Sequence, residues 1–302
     1  MGVDGFRLDA VTSFVAKNTK RNVEILHALK EMAEELKPGS YLVGEAWTGL
    51  GDIAEYYKSG MDSFFLFPVS QAEGVLVKSL LARSNPAGNF ATQMKKIYEA
   101  IPDGVLAPFL CNHDTGRTAV ILQARQKPER IKFATGLLNM LGGNTFTYYG
   151  DEIGMVGSGD DPNKRLAMYW NDGDMTQQPP GVTKVEYAFP CADDQLKDDH
   201  SLLRYCQALN QLKKQVPSIA WGHNEFVLLE DDVCVMKRTW NGEESWIAIN
   251  FSAKKTHARE VPVAGLKLAG QLDAFEEKAA AEISVNGALL TLPPFAVVVL
   301  VR

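Results

Sequence analysis

Near the start of the chain, the run "GVDGFRLDAV" (residues 2–11) sets Arg7 and Asp9 among Val, Phe, Leu and Val. Side chains two apart on an extended strand share a face, so Arg7 and Asp9 point one way while Phe6 and Leu8 point the other. A strand buried on both faces is nearly all apolar, so a charged pair at its C-terminal end needs a reason. Two further apolar runs end in the same manner. "YLVGEAW" (41–47) carries Glu45, and "LAPFLCNHD" (106–114) closes on Asn112, His113 and Asp114. Taken singly, each carboxylate has a bland account as a helix N-cap or a strand-end surface charge. Three of them at equivalent places on separate strands, with polar companions, point to one shared site.

Three carboxylates, an Arg and a His, with no nucleophilic Cys or Ser motif, match what glycoside hydrolysis requires. A retaining glycosidase uses an ionised carboxylate as nucleophile and a protonated one as general acid, about 5–5.5 Å apart. Arg7, on the same face as Asp9, is expected to hold it ionised. Glu45, flanked by apolar neighbours and Trp47, sits in the setting that favours a general acid. A third carboxylate can bind sugar hydroxyls and favour the positive charge of an oxocarbenium-like transition state.

The elements that must position these groups alternate regularly. Strands are expected at 3–9, 41–47, 61–68, 106–114 and 144–150, with helices at 22–37, 72–83, 90–101 and 128–141. The first helix stops at Pro38-Gly39 and the last at Gly142-Gly143. Such alternation indicates a parallel sheet with helices outside it, and in a barrel of this kind the strand C-termini converge on the active site. A loop rich in Gly, Asp, Asn and Pro runs from about Gly157 to Pro190, too long for a plain connection. A helix at 202–216 precedes Pro217, after which the pattern becomes strands and turns, with "NGEE" (241–244) as a hairpin signal. This divides the chain into a catalytic part, residues 1–217, and an all-β sandwich, residues 218–302. The sandwich has no cluster of catalytic residue types, and its role is read as structural, with sugar contact through Trp240 or Trp246 as the alternative.

Composition bounds the partners. The 302 residues are 46% hydrophobic and 23% charged, with a net charge of −6. That balance excludes a basic nucleic-acid footprint and a polybasic membrane surface. No apolar run approaches membrane-spanning length and no secretory leader is recognisable. Cys111, Cys191, Cys206 and Cys234 lack metal-ligand spacing and are expected as free thiols, which favours a cytoplasmic setting.

"GFRLDAV", "GEAW" and "NHD", in this order, resemble three motifs of glycoside hydrolase family thirteen, the α-amylase family. "YYGDEIGM" (148–155) and "NKRLAMYW" (163–170) resemble segments at and beyond its eighth barrel strand. The resemblance implies Asp9 as nucleophile, Glu45 as acid/base and Asp114 as transition-state stabiliser, with Arg7 and His113 at the cleavage point. It adds Trp47, Arg117 and Tyr149 as cleft residues, for which structural roles compete. Thr12 and Ser13 stand where many amylases carry Lys or His and then His, so no cofactor or metal is implied and the residues lend calcium no support.

The implied fold is α/β: strands four to eight of a (β/α)8 TIM barrel, lacking the first three, followed by the C-terminal sandwich. The implied substrate is an α-1,4-linked glucan or maltooligosaccharide. An α-1,6-acting oligosaccharide hydrolase, a glucan transferase and a non-catalytic carbohydrate-binding subunit are the alternatives. Half a barrel leaves two strand edges unpaired and an inner face carrying Val3, Val43 and Leu110 uncovered, so self-association is expected. The sandwich is expected to be able to fold alone.

Overall fold

A computed structural model describes residues 2–173, 176–275, 278–284 and 286–302. Asp174 and Met175 of the long loop, and Val285 in the closing β segment, lie outside the described residues.

The N-terminal region begins with three parallel strands, β1 (Gly5–Leu8), β2 (Tyr41–Gly44) and β3 (Ser63–Phe64), in that order. Parallel bridges then join Phe65 to Ala107 and Phe109 to Phe146, so five strand segments follow one another across the sheet in sequence order. The segments at 106–109 and 144–147 are held by single bridges rather than by regular ladders, shorter than the sequence led one to expect.

Among the described residues, ten α-helices connect and flank these segments. Seven lie between or just beyond the strand segments: α1 (Thr19–Leu36), α2 (Leu50–Tyr57), α3 (Val75–Leu81), α4 (Pro86–Ala100), α5 (Thr118–Ile121), α6 (Pro128–Met140) and α7 (Asp161–Lys164). Then come α8 (Ala192–Gln195), α9 (Leu202–Gln215) and α10 (Pro217–Trp221). Local chemistry sets their ends. Asn18 caps α1 by accepting from Arg21 N–H, and Gly39, at φ +77°, turns the chain back into β2. Asn85 caps α4, whose first residue is Pro86. Helix α2 has no counterpart among the expected elements.

Two side-chain layers face away from the sheet. Leu42, Phe64, Leu66 and Leu110 join the core beneath the helices. Phe65, Phe109 and Phe146 meet on the opposite, inner face, with Phe65 ring centroids 5.6 Å from Phe109 and 4.9 Å from Phe146. Leu110 is therefore not an inner-face residue as the alternation suggested. Phe109 takes that place, because the 106–109 segment enters the sheet one residue out of step with the alternation read from Asp114. Val43 does pair in register beside Arg7, and Val3 is exposed at the sheet edge.

After α10 the chain forms β4 (His223–Glu230), β5 (Val233–Trp240), β6 (Glu243–Asn250), β7 (His257–Val261), β8 (Lys267–Leu272), β9 (Ala280–Ile283), β10 (Ala288–Leu292) and β11 (Val297–Val301). They make a five-stranded sheet ordered β4-β5-β6-β11-β8 and a three-stranded one ordered β7-β10-β9. The β5–β6 hairpin turns at Asn241 (φ +48°) and Gly242 (φ +84°), the paired positive φ values of a type I′ turn. Val235, Ala248, Val298 and Leu300 pack against Leu290 and Leu292 between the sheets.

The other face of the larger sheet does not meet water. Met236, Ile247, Ile249, Val297 and Val299 belong to the same core as Leu137, Leu138 and Leu209 of α6 and α9. Phe133 of α6 stacks on Phe295 at 4.5 Å and meets Phe251 edge-on at 5.5 Å. Buried Arg238 of β5 donates to the carbonyls of Ser218, Gly222 and Met140. The sandwich thus buries one face against the helices, and separating it would uncover that apolar surface. The expectation that it folds alone does not allow for this shared core.

Candidate active site

Arg7, Asp9 and Glu45 lie at the C-terminal ends of neighbouring parallel strands. The Arg7 guanidinium divides between the two acids: Nη1 donates to Asp9 Oδ1 at 2.6 Å and Nη2 to Glu45 Oε1 at 2.7 Å. Glu45 is 6% exposed, while the Asp9 side chain is 74% exposed, so one carboxylate is walled in and the other projects into open space. The sharing of Arg7 with Glu45 is not readable from spacing, which places Arg7 only beside Asp9.

The backbone locks this pair together. Glu45 N–H donates to the Leu8 carbonyl and Val11 N–H to the Glu45 carbonyl. Ala10, directly after Asp9, holds φ +41°, a left-handed conformation that costs a residue with a Cβ. There its N–H reaches the second Glu45 oxygen, Oε2, at 3.3 Å. Asn22 of α1 fixes the following turn, donating to the Thr12 and Val15 carbonyls and accepting from Val15 N–H. Thr12 and Ser13 lie in this short helical turn. Among the described residues, no group of three or more His, Cys, Asp or Glu is placed to hold a metal ion.

Asp114 is held from the other side. His113 Nε2 lies 3.2 Å from Asp114 Oδ2, and Arg165 Nη2 donates to Asp114 Oδ1 at 2.8 Å. Arg165 also bonds the His113 carbonyl, and Lys164 bonds the Asp114 carbonyl. Arg165 belongs to the "NKRLAMYW" segment and is a site residue that sequence reasoning did not single out. Its only signal was an unexplained cation within a motif. A cavity of about 150 Å³ lies between Arg7 and Glu45 on one side and His113 on the other, lined also by Phe65, Phe109 and Tyr148, with Asp9 and Asp114 outside its lining.

The three weaker candidates divide. Trp47 is exposed beside Glu45 and stacks on Phe67 at 4.9 Å, leaving its other face free for a ligand. Tyr149 is partly exposed, but its hydroxyl donates to the Leu166 carbonyl and it does not line the cavity, whereas Tyr148 does. Arg117 is a correction: it is fully buried and cannot meet a sugar. It donates to the Tyr149 and Lys164 carbonyls, lies over the Tyr148 and Tyr149 rings, and approaches Asp151 at 3.8 Å. Burial pushes the Asp151 carboxyl above the usual range and lifts the Cys111 thiol beside it well above its own. Arg117 therefore ties the strand-end segment at 148–151 to the 157–166 loop that carries Arg165.

All four cysteines are free and buried, and among the described residues no helix is long and apolar enough to cross a membrane.

The chain resembles known proteins in sequence and in fold. The family model for the α-amylase catalytic domain matches residues 1–222. The chain is 30% identical over 237 residues to α-amylase 3 of Dictyoglomus thermophilum, covering 76% of this chain and 46% of that protein. It is 27% identical over 243 residues to α-amylase SusG of Bacteroides thetaiotaomicron, covering 74% and 33%. Among solved structures, Eubacterium rectale Amy13B superposes with a TM-score of 0.89 at 32% identity, over 100% of this chain and 60% of that one. An α-amylase from H. orenii gives 0.84 at 27%, over 100% and 61%. The chain thus spans about half or less of those curated relatives and about three fifths of those structures.

Arg117→Met keeps the stem but removes the charge, leaving Asp151 and two carbonyls without their cation. It is expected to destabilise the protein by about 3 kcal/mol or more, read as a lower urea midpoint. A loss below about 0.5 kcal/mol would show that Arg117 does not secure the loop.

Proposed function

The chain belongs to the α-amylase family of glycoside hydrolases, and we propose that it carries the catalytic residues of a retaining enzyme cleaving α-1,4-glucosidic bonds in starch or maltodextrin. The observation that carries this reading is the single guanidinium shared by Asp9 and Glu45. Both acids bond one guanidinium, an arrangement that supports the close pair a covalent mechanism needs.

In this reading Asp9 attacks the anomeric carbon as Glu45 gives its proton to the departing glycosidic oxygen, forming a covalent glycosyl ester. Glu45 then takes a proton from water, which displaces Asp9 and restores both groups. One Asp9 oxygen rests on Arg7, and the exposure of the side chain leaves it accessible to a sugar. Asp114, fixed by Arg165, is assigned to the hydroxyls of the distorted ring, with His113 beside it. Arg7 aligns both acids, and Trp47 offers a ring face to the sugar beyond the cleavage point.

We further propose that the five strand segments are strands four to eight of a (β/α)8 barrel occupying residues 1–217, followed by the sandwich at 218–302. Support comes from the strand order and from the bare outer face of β1, where Phe6 is 56% exposed while Leu42 beside it is buried. The names of two further relatives, a cyclomaltodextrinase and a maltogenic α-amylase, keep the preferred glucan open within the same chemistry.

In a chain with the barrel closed, Asp9→Asn should cut hydrolysis of maltooligosaccharides by several orders of magnitude. Glu45→Gln should spare substrates with good leaving groups far more than natural glucans, since these need little protonation. Near-full turnover by Asp9→Asn would overturn the assignment. Residues 1–302 alone should self-associate through the exposed β1 edge and turn over starch poorly. Light scattering showing a monomer with ordinary amylase turnover would contradict this.

A further inference from the structure

Helix α1 turns a polar side chain inward. Leu26 is fully buried in the core, and Asn22, one turn before it on the same face, is 1% exposed. Asparagine is a weak helix former, and its buried amide must find partners beyond the helix. What the protein gains from it therefore lies outside α1.

The gain is the segment that follows Asp9. Val15 N–H donates to Asn22 Oδ1 at 2.7 Å, and Asn22 Nδ2 reaches the Thr12 and Val15 carbonyls, each at 3.2 Å. Nδ2 also lies 3.2 Å from the hydroxyl of buried Tyr56 on α2. One amide thus closes the turn at 12–15 and ties it to two helices. That turn needs outside support, since Ala10 and Lys17 hold φ values of +41° and +57° without being glycine. Ser13 N–H returns to the Ala10 carbonyl at 2.8 Å, so a shift at Thr12 passes directly to Ala10. Both acids depend on that residue. Asp9 precedes it, its N–H reaches Glu45 Oε2 at 3.3 Å, and Val11 N–H, next in the chain, donates to the Glu45 carbonyl at 3.1 Å.

We propose that Asn22 is a positioning residue for the reaction, setting Asp9 and Glu45 through the backbone turn between them. The inference rests on the roles given to those two acids in the preceding section. Asn22 is buried and outside the lining of the catalytic cavity, so it does not touch a sugar. Its loss slows the bond-making step and leaves sugar binding alone. A misplacement of about 1 Å at reacting groups is enough to cost about 100-fold in rate.

The test compares Asn22→Ala with the wild type in a chain with the barrel closed, using a fluorinated α-glucosyl fluoride whose glycosyl-enzyme accumulates. The rate constant of adduct formation should fall roughly 10- to 100-fold, while the final adduct per chain and the KM for maltooligosaccharides change less than about twofold. A role in folding alone would instead lower the final adduct and leave the remaining sites reacting at the wild-type rate, which would overturn the proposal. Tyr56→Phe removes the tie to α2 but keeps the bonds to the turn, and it should trap at the wild-type rate. Equal slowing there would place the effect in helix packing, against the proposal. Independently of turnover, Asn22→Ser in residues 1–302 should speed amide exchange across residues 10–15 roughly tenfold or more, with residues 41–44 unchanged. Unaltered exchange at 10–15 would also contradict it. Failure of the catalytic assignment would show separately, as hydrolysis surviving Asp9→Asn.

Discussion

Two carboxylates brought side by side repel each other, and a structure that gathers them must supply a compensating charge. Here one guanidinium does so. Arg7 spans Asp9 and Glu45, and on the far side Arg165 holds Asp114. The cations fix where each acid points as well as balancing its charge, because an arginine fork accepts partners only in its own plane. Removing either would free the acids to swing apart, so the proposed chemistry depends on how firmly those two arginines are held.

That firmness comes from the frame. Parallel registry sets Leu8 opposite Gly44, so Asp9 and Glu45 leave the sheet side by side. The αL turn at Ala10 costs on the order of 1–3 kcal/mol, and it persists because Glu45 and Asn22 bind the backbone on both sides. Arg165 is secured less directly, through a loop tied to the sheet by buried Arg117 and its two tyrosines. Behind the sheet, α6 is buried almost throughout because its far side packs on the sandwich. The β domain thereby packs behind the sheet that carries the candidate site.

The three candidate acids could be picked out in the sequence because each ends an apolar run, and strand-end polarity survives any error in element boundaries. Patterning located the strands and the helices α1, α3, α4, α6 and α9, but gave no sign of α2. What the sequence hid was long-range. Nothing local says that Arg7 also serves Glu45, that Arg165 reaches back to Asp114 from 51 residues away, or that Arg117 faces inward. Leu110 was assigned to the wrong face for a related reason. Period-two counting from Asp114 fails where the chain leaves regular strand geometry after Phe109. Nor could hydropathy reveal that one face of the β domain is shared with the helices, since a strand covered by a helix and one covered by a sheet read alike.

The claim on which the account turns is that Asp9, and not its neighbours, forms the covalent bond to the sugar. The direct measurement is to incubate a preparation that turns over maltooligosaccharides with a fluorinated α-glucosyl fluoride, whose glycosyl-enzyme hydrolyses slowly, and to map the trapped adduct by peptide mass spectrometry. The account predicts one glycosyl group per chain, on Asp9. An adduct on Glu45 or Asp114, or a fully active preparation that traps none, would contradict it.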